Sequence, residues 1–278
     1  MGTTERESMV YNMNEVVAHS DVVFITLDTL RHDVAQATWQ AGQLPNFSNW
    51  LPATGWEKRH SPGSFTYAAH HAFFAGFLPT PAFPGKHPRL FATAFAGSET
   101  TVSNTCVLEA ATWIEGLAEQ GFTTLCIGGV GFFNQQTPLS QVFPSLFQQS
   151  YWSPELGVTN PSSTQAQLEL AAQLLEQHPE PTLLFINVSA IHQPNYFYLK
   201  QTTSSNKVDT LESHAAALQY VDGQLPILQA ALAKRARPTF VICCGDHGTT
   251  YGEEGYTGHR LAHEKVWLVP YLEVLLEG

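Results

Sequence analysis

The feature that most constrains this chain is a set of three apolar runs, each ending at a polar residue able to do chemistry. DVVFITL, Asp21 to Leu27, is β-branched and apolar throughout its interior and stops at Asp28. TLLFINV carries Asn187 near its end, and PTFVICC delivers Asp246 and His247. Short apolar runs without alternation read as strands buried on both faces, the condition of a parallel sheet covered by helices. Open α/β sheets hold their ligands just beyond the carboxyl ends of such strands. The chain therefore predicts an α/β fold, a three-layer α/β/α sandwich with a mostly parallel central sheet, and it gathers Asp28, Asp246 and His247 at one end of that sheet.

The stretches between these runs supply helices. One follows the first strand through Arg31 to Ala41, and Leu44-Pro45-Asn46 opens a short second one. VLEAATWIEGLAEQ, Val107 to Gln120, carries Leu108, Ala111, Ile114 and Leu117 at helical spacing, Gly121 stops it, and TTLCIGG follows as a strand. Ser162 with Gln165 reads as a capping box for a helix to Gln177. Leu211, Ala215, Leu218, Val221, Leu225, Leu228 and Leu232 form a helical stripe in which Gly223 and Pro226 predict a kink. Between Ala82 and Asn104 a strand at Arg89 to Phe95 is the one element suggested, and the aromatic, glutamine-rich stretch Phe132 to Trp152 reads as a cover over the pocket. GGVG at 128 to 131 lacks the glycine spacing of a dinucleotide loop and reads as a plain turn. No repeat or linker divides the chain, so residues 1–278 are expected to form a single catalytic domain.

Ser61 to Pro79, SPGSFTYAAHHAFFAGFLP, reads as a loop that brings a hydroxyl, Thr66, to the first turn of an apolar helix closed by Pro79 and Pro81. Ala69, Ala72, Phe73 and Gly76 recur at three-to-four-residue spacing, so the helix can pack into the core while its N-terminus faces a pocket. Free N–H groups and the positive end of the helix dipole there favour a phosphate-like anion. Taken alone, Ser64 or Thr66 reads more simply as a helix cap. With Asp28, Asp246 and His247 at neighbouring strand ends the stretch gains another meaning. Two carboxylates, an imidazole and an alkoxide make a shell for Zn²⁺ or Mn²⁺, with Mg²⁺ or Ca²⁺ as alternatives. A metal so held would make Thr66 a nucleophile at neutral pH and offset charge on the group attacked.

Composition narrows the partners. The formal charge is −11, with 13 Lys plus Arg against 24 Asp plus Glu, which argues against a nucleic acid or an anionic membrane surface. An acidic protein that holds an anionic substrate needs a local cation, which agrees with a metal. No apolar run approaches the roughly 20 residues of a membrane span. The polar, acidic N-terminus has no apolar signal core, Arg6 stands where a myristoylation motif wants Ser or Thr, and the four cysteines lack metal-finger spacing. A cytoplasmic location is the expectation; oligomeric state is left open.

At this point the chain resembles the alkaline phosphatase superfamily in its sulfatase-like branch. FITLDTLRHD is similar to that family's opening strand, with a metal-binding aspartate followed three residues later by an arginine, and LPNFSNWLPATG resembles its next helix. In TYAAHHAFFAGFLP the spacing of Thr66 to Gly76 matches nucleophile to glycine in the nucleotide phosphodiesterases and sulfatases. WIEGLAEQGFTTLCIGG, FINVSAIHQP, LQYVDGQLPILQAAL and ICCGDHGTTYG through HEKVWLVPYL follow in the family's order, so the resemblance covers most of the chain.

The resemblance implies a metal-dependent hydrolase or transferase of phosphate esters (diester, monoester or phosphonate) working through a phospho-threonine. A phosphomutase, a sulfuric ester hydrolase and an inactive binding or biosynthetic partner protein remain as alternatives. The C-x-P-x-R signature of formylglycine sulfatases is Thr66, Ala68 and His70 here, and threonine cannot become that aldehyde. The sulfate-binding GK-x-H element is GGVGFF, and the second opening aspartate is Thr29. Two-metal members add a D-x-x-x-H pair; Asn187 and His192 stand five apart with no aspartate at the required offset, so one metal is expected, with a partial second site. His192 and His263 are candidates to contact the phosphoryl oxygens or protonate the leaving group, with His259 and His70 behind them. His263 is expected to be aimed at the phosphoryl group by the loop GYTGHRLAHEK, which returns to a strand beside Val241 to Cys244.

Overall fold

A computed structural model describes residues 11–76, 91–93, 106–108, 112–199 and 207–278. Seven strands form one sheet: β1 (Asp21–Leu27), β2 (Glu57–His60), β3 (Thr123–Ile127), β4 (Gln149–Tyr151), β5 (Thr182–Val188), β6 (Thr239–Gly245) and β7 (Leu268–Leu276). Their spatial order is β2-β7-β6-β1-β5-β3-β4. β6, β1, β5, β3 and β4 run parallel, while β7 lies antiparallel between β6 and β2. The expected adjacency of the last strand to Val241–Cys244 is present, since Tyr271 pairs with Cys244 and Val274 with Val241.

The apolar runs lack alternation because both faces are covered. Val23, Ile25 and Leu27 of β1 join Leu184 and Ile186 of β5 and Val241 and Cys243 of β6 in one core. That core is closed by α2 (His32–Gln40), α5 (Ser163–Gln177) and α6 (Leu211–Leu232), through Ala35, Leu168, Leu174, Val221 and Leu228. Val22, Phe24, Leu183 and Phe185 point the other way, against α3 (Thr66–Ala75) and α4 (Trp113–Glu119) through Phe74, Ile114 and Leu117. A further helix, α1 (Met13–His19), precedes β1. Among the described residues no helix is long and apolar enough to cross a membrane.

Two local readings need correcting. The helix expected from Val107 begins at Trp113, because Thr112 and Glu115 form a capping box there, while Cys106–Leu108 is a short strand paired with Phe91–Thr93. Ser162 precedes α5 but its side chain makes no cap hydrogen bond. α6 runs through Gly223 and Pro226 as one element. Pro226 cannot donate to the carbonyl of Asp222, and Asn46 Nδ2 donates to it instead at 3.0 Å. The Asp222 carboxylate meanwhile accepts from the Phe47 N–H at 2.7 Å, so a residue four positions before the proline ties α6 to the Leu44–Asn46 turn. Pro79 and Pro81 lie outside the described residues; α3 ends at Gly76, whose φ of 77° is the left-handed conformation that glycine adopts without steric penalty.

At the amino end of the sheet, Arg235 fixes the strands. Its Nε donates to Asp21 at 2.6 Å, and its remaining nitrogens donate to the carbonyls of Leu175, His178 and Glu180. Asp21 also accepts from the Thr182 N–H, so one buried pair joins β1, β5 and the end of α5. Removing one partner of such a pair leaves a buried charge unmatched. Arg235→Leu is expected to cost about 3–5 kcal/mol in urea unfolding while leaving metal affinity within a factor of a few, because the site lies at the opposite end of the sheet. A loss below about 1 kcal/mol would show that Asp21 finds another partner.

Candidate functional site

Register decides which side chains meet. Leu27 pairs with Gly245, so Asp28 and Asp246 leave adjacent parallel strands side by side, and Thr26 pairs with Asn187 on the other flank. Thr66 reaches the same point from α3, whose N-cap residue is Phe65, extended and without a capping side chain. Neither Ser64 nor Thr66 caps the helix. The Thr66 hydroxyl lies 3.4 Å from Asp28 Oδ2 and 3.3 Å from His247 Nε2. His247 Nε2 is 3.9 Å from Asp28 Oδ1 and 3.6 Å from Asp246 Oδ2. Asp28, Asp246 and His247 are fully buried.

Each carboxylate is half satisfied. Asp28 Oδ2 accepts from Asn187 Nδ2 at 3.3 Å, and Asp246 Oδ1 accepts from the N–H groups of Thr29 and His247 at 3.1 and 2.8 Å. Among the described residues, Asp28 Oδ1 and Asp246 Oδ2 have no hydrogen-bond partner. His247 donates Nδ1–H to the Gly248 carbonyl at 2.8 Å, which leaves a lone pair on Nε2. Two bare carboxylate oxygens, an imidazole lone pair and a hydroxyl thus converge, and buried anions in this state call for a cation. Asp28, Asp246 and His247 offer donor atoms all within 4.8 Å of one another. The donor set fits a divalent ion of the zinc or manganese kind. Among the described residues no second such group assembles.

The surroundings are as specific as the donors. Gly248 is obligatory, because a Cβ there would stand 2.0 Å from the Lys265 carbonyl, and its N–H donates to the Val266 carbonyl. Asn187 Nδ2 also donates to Thr26 Oγ, which meets His70 Nε2 at 3.1 Å, while His70 Nδ1 donates to the Thr66 carbonyl at 2.8 Å. His70 was expected at the substrate; it lies instead behind Thr66, with no exposure, in a shell that includes Phe74, Phe133 and Phe185. Burial holds its pKa down to about 3, so it is neutral and orients the nucleophile's backbone.

The other three histidines divide. The His259 ring is 4.6 Å from that of His247 and 6.1 Å from that of His192, so both His192 and His259 flank the donor cluster. Burial and the neighbouring His247, His192 and Arg260 push His259 down to about 3. His263 is placed otherwise. Its Nδ1 accepts from the Lys265 N–H at 3.1 Å, capping the helical turn Glu264–Trp267, and its Nε2 is 3.9 Å from Glu254. Those contacts fix the turn whose carbonyls meet Gly248, and none is to Asp28, Thr66, Asp246 or His247.

Asn187 and Thr29 are parts of the site that sequence reasoning did not assign. Asn187 ends an apolar run as Asp28 does, and that was the available signal. Thr29 carries none, because its contribution is a backbone N–H held by a left-handed φ of 63°.

The Sulfatase family model matches residues 20–274. No curated protein sequence matches the chain. Among solved structures, the C-terminal periplasmic domain of phosphoethanolamine transferase EptC from Campylobacter jejuni is 15% identical, with a TM-score of 0.62 over 92% of this chain and 79% of that one. The C-terminal periplasmic domain of EcEptC from Escherichia coli, in complex with Zn, is 11% identical, with a TM-score of 0.62 over 94% and 73%. The lipoteichoic acid synthase LtaP from Listeria monocytogenes is 12% identical, with a TM-score of 0.58 over 91% and 65%. At these identities the likeness carries the fold.

Burial, and for Asp28 the nearby Asp246, raise the metal-free carboxylates, Asp28 to about 6 and Asp246 to about 7. Between the unfolded value near 3.8 and these values the native state binds more protons than the unfolded chain, so this pair's contribution to stability falls as pH rises from about 4 to 7. Buried neutral histidines such as His70 and His214 act in the opposite sense, so the pair is isolated by difference. Without metal, thermal melting should show Asp246→Asn gaining on the natural protein from pH 5 to pH 8. With saturating Mn²⁺ the order should reverse, and the variant should fail to retain a stoichiometric ion. A difference independent of pH, or full metal retention, would contradict the assignment.

Proposed function

The chain belongs to the sulfatase family, and on that premise we propose that it is a metal-dependent phosphoryl-transfer enzyme, a hydrolase or transferase of phosphate esters with Thr66 as nucleophile. The observation that supports it most is the Thr66 hydroxyl, held within 3.4 Å of Asp28 Oδ2 and His247 Nε2 at the uncapped start of α3. A formylglycine sulfatase needs a cysteine or serine at this position, and a threonine cannot supply it.

Asp28, Thr66, Asp246 and His247 would hold a divalent ion, which would lower the pKa of the hydroxyl and offset charge on phosphoryl oxygens. Thr66 gives up its proton to solvent and forms the Oγ–P bond in line with the P–O bond to the leaving group; that bond breaks, and the departing alkoxide takes a proton from solvent. The uncapped N–H groups of α3 face the developing anion. His192 and His259, whose rings lie near His247, would hydrogen-bond the non-bridging oxygens in this reading. Water or an acceptor alcohol then attacks the phosphorus and frees Thr66. The transferase arm of this reading is supported by the names of EptC and LtaP, which are respectively a phosphoethanolamine transferase and a lipoteichoic acid synthase.

We keep the cytoplasm as the proposed compartment on the strength of three free, buried thiols, Cys126, Cys243 and Cys244. The EptC relatives are periplasmic domains, so cell fractionation decides this point.

Assayed with Mn²⁺ or Zn²⁺ against aryl phosphate monoesters, diesters, phosphonates and sulfates, the protein should turn over a phosphorus ester and process sulfates poorly. Thr66→Ala should lower that turnover by about four orders of magnitude or more, as removal of a covalent nucleophile does elsewhere. A preference for sulfate, or full activity without Thr66, would overturn the proposal.

A further inference from the structure

Five arginines lie among the described residues, and four are bound to carboxylates. Arg31 holds Asp33 and Glu253, Arg59 holds Glu57, and Arg235 and Arg237 both approach Asp21. Arg260 forms no ion pair among the described residues and is exposed. In a chain of net charge −11, a guanidinium without a carboxylate calls for a reason.

Its placement supplies one. The Arg260 N–H donates to the Ser64 carbonyl at 2.9 Å, which pins the loop after β6 across the loop that carries the nucleophile. Its φ of 69° is left-handed, a conformation that costs a non-glycine residue and is held here by the structure around it. The guanidinium stands 5.9 Å from the centroid of Phe65, the residue immediately before Thr66. The preceding residue, His259, has its ring 4.6 Å from that of the metal ligand His247. Arg260 therefore occupies the rim of the Thr66 centre.

We propose that Arg260 is a specificity-determining residue that binds a second anionic group, a carboxylate or a phosphate, on the alcohol portion of the substrate. Arg260 is exposed while Thr66, Asp28, Asp246 and His247 are buried, so it meets the substrate outside the reacting phosphorus. Guanidinium pairs planar oxyanions through two parallel N–H bonds, which suits both classes of group. The favoured substrates are then esters whose alcohol is itself acidic, and esters of neutral alcohols bind less well. This inference rests on the reading that the Thr66 centre accepts a phosphoryl or phosphonate group.

Binding, measured without turnover, tests it. Calorimetric titration of Mn²⁺-loaded protein with phenylphosphonate and with 4-carboxyphenylphosphonate should show the carboxylated ligand bound about tenfold to a hundredfold more tightly, the range of a charge-assisted hydrogen bond. Arg260→Asn, a replacement that left-handed backbone tolerates, should abolish that preference and leave phenylphosphonate affinity within about threefold. Arg260→Lys should restore part of it. If the preference holds while no phosphorus ester is ever turned over, Arg260 keeps its role and the catalytic reading fails. Equal affinity for the two ligands in the natural protein, equal weakening of both in Arg260→Asn, or failure of both to bind would overturn the inference and leave Arg260 a solvated surface side chain.

Discussion

Strand β1 begins with one aspartate and is followed directly by another, and the protein treats the two in opposite ways. Asp21 is neutralised by Arg235, with Arg237 behind it and the Thr182 N–H completing its bonds. Asp28, seven residues on, is equally buried and, among the described residues, has no arginine or lysine beside it; its near neighbour is another carboxylate, Asp246. An isolated buried anion is costly and two together cost more, so a fold that brings them side by side calls for compensation, by protons or by a cation. That requirement is imposed by pairing, because the Leu27 to Gly245 register leaves the two strand ends no other arrangement. Thr29, Asn187, Gly248 and the tautomer of His247 then fix which oxygens and which nitrogen stay bare.

The same division separates stability from chemistry along the sheet. Arg235 gathers carbonyls and a carboxylate at the amino end, where every polar group it touches is matched. The carboxyl end holds the unmatched oxygens, the left-handed Thr29 and Arg260, and the uncapped start of α3. The two bare carboxylate oxygens and the left-handed Thr29 and Arg260 thus lie at the end of the sheet where a metal and an anionic substrate would bind. His70 shows how far the arrangement reaches, since a hydrogen-bonded chain from Asn187 through Thr26 and His70 ends on the backbone of Thr66.

What the sequence made legible follows from the periods involved. The buried strands were readable because Val, Ile, Leu and Phe without alternation leave few alternatives over seven residues, and their ends located Asp28, Asp246 and His247. The spacing after Thr66 gave the helix. The strand at Cys106–Leu108 was hidden because three residues carry no period and the leucine also suited a helical stripe. The hydrogen bond that Pro226 cannot make to the Asp222 carbonyl is supplied by Asn46 from a distant loop, a contact invisible in one dimension. The roles of the histidines were the least readable. His70, His259 and His263 all lie near the signature residues in the chain, yet only burial and partners separate one behind the nucleophile, one beside His247 and one capping a turn.

The central claim is that the bare oxygens of Asp28 and Asp246 exist to hold an ion together with His247 and Thr66. Anomalous diffraction from crystals grown with Mn²⁺ or Zn²⁺ tests it most directly. The account predicts one strong peak lying about 2.0–2.2 Å from Asp28 Oδ1, Asp246 Oδ2, His247 Nε2 and Thr66 Oγ. A principal peak elsewhere, or no peak at saturating metal with both carboxylate oxygens still unpartnered, would contradict it.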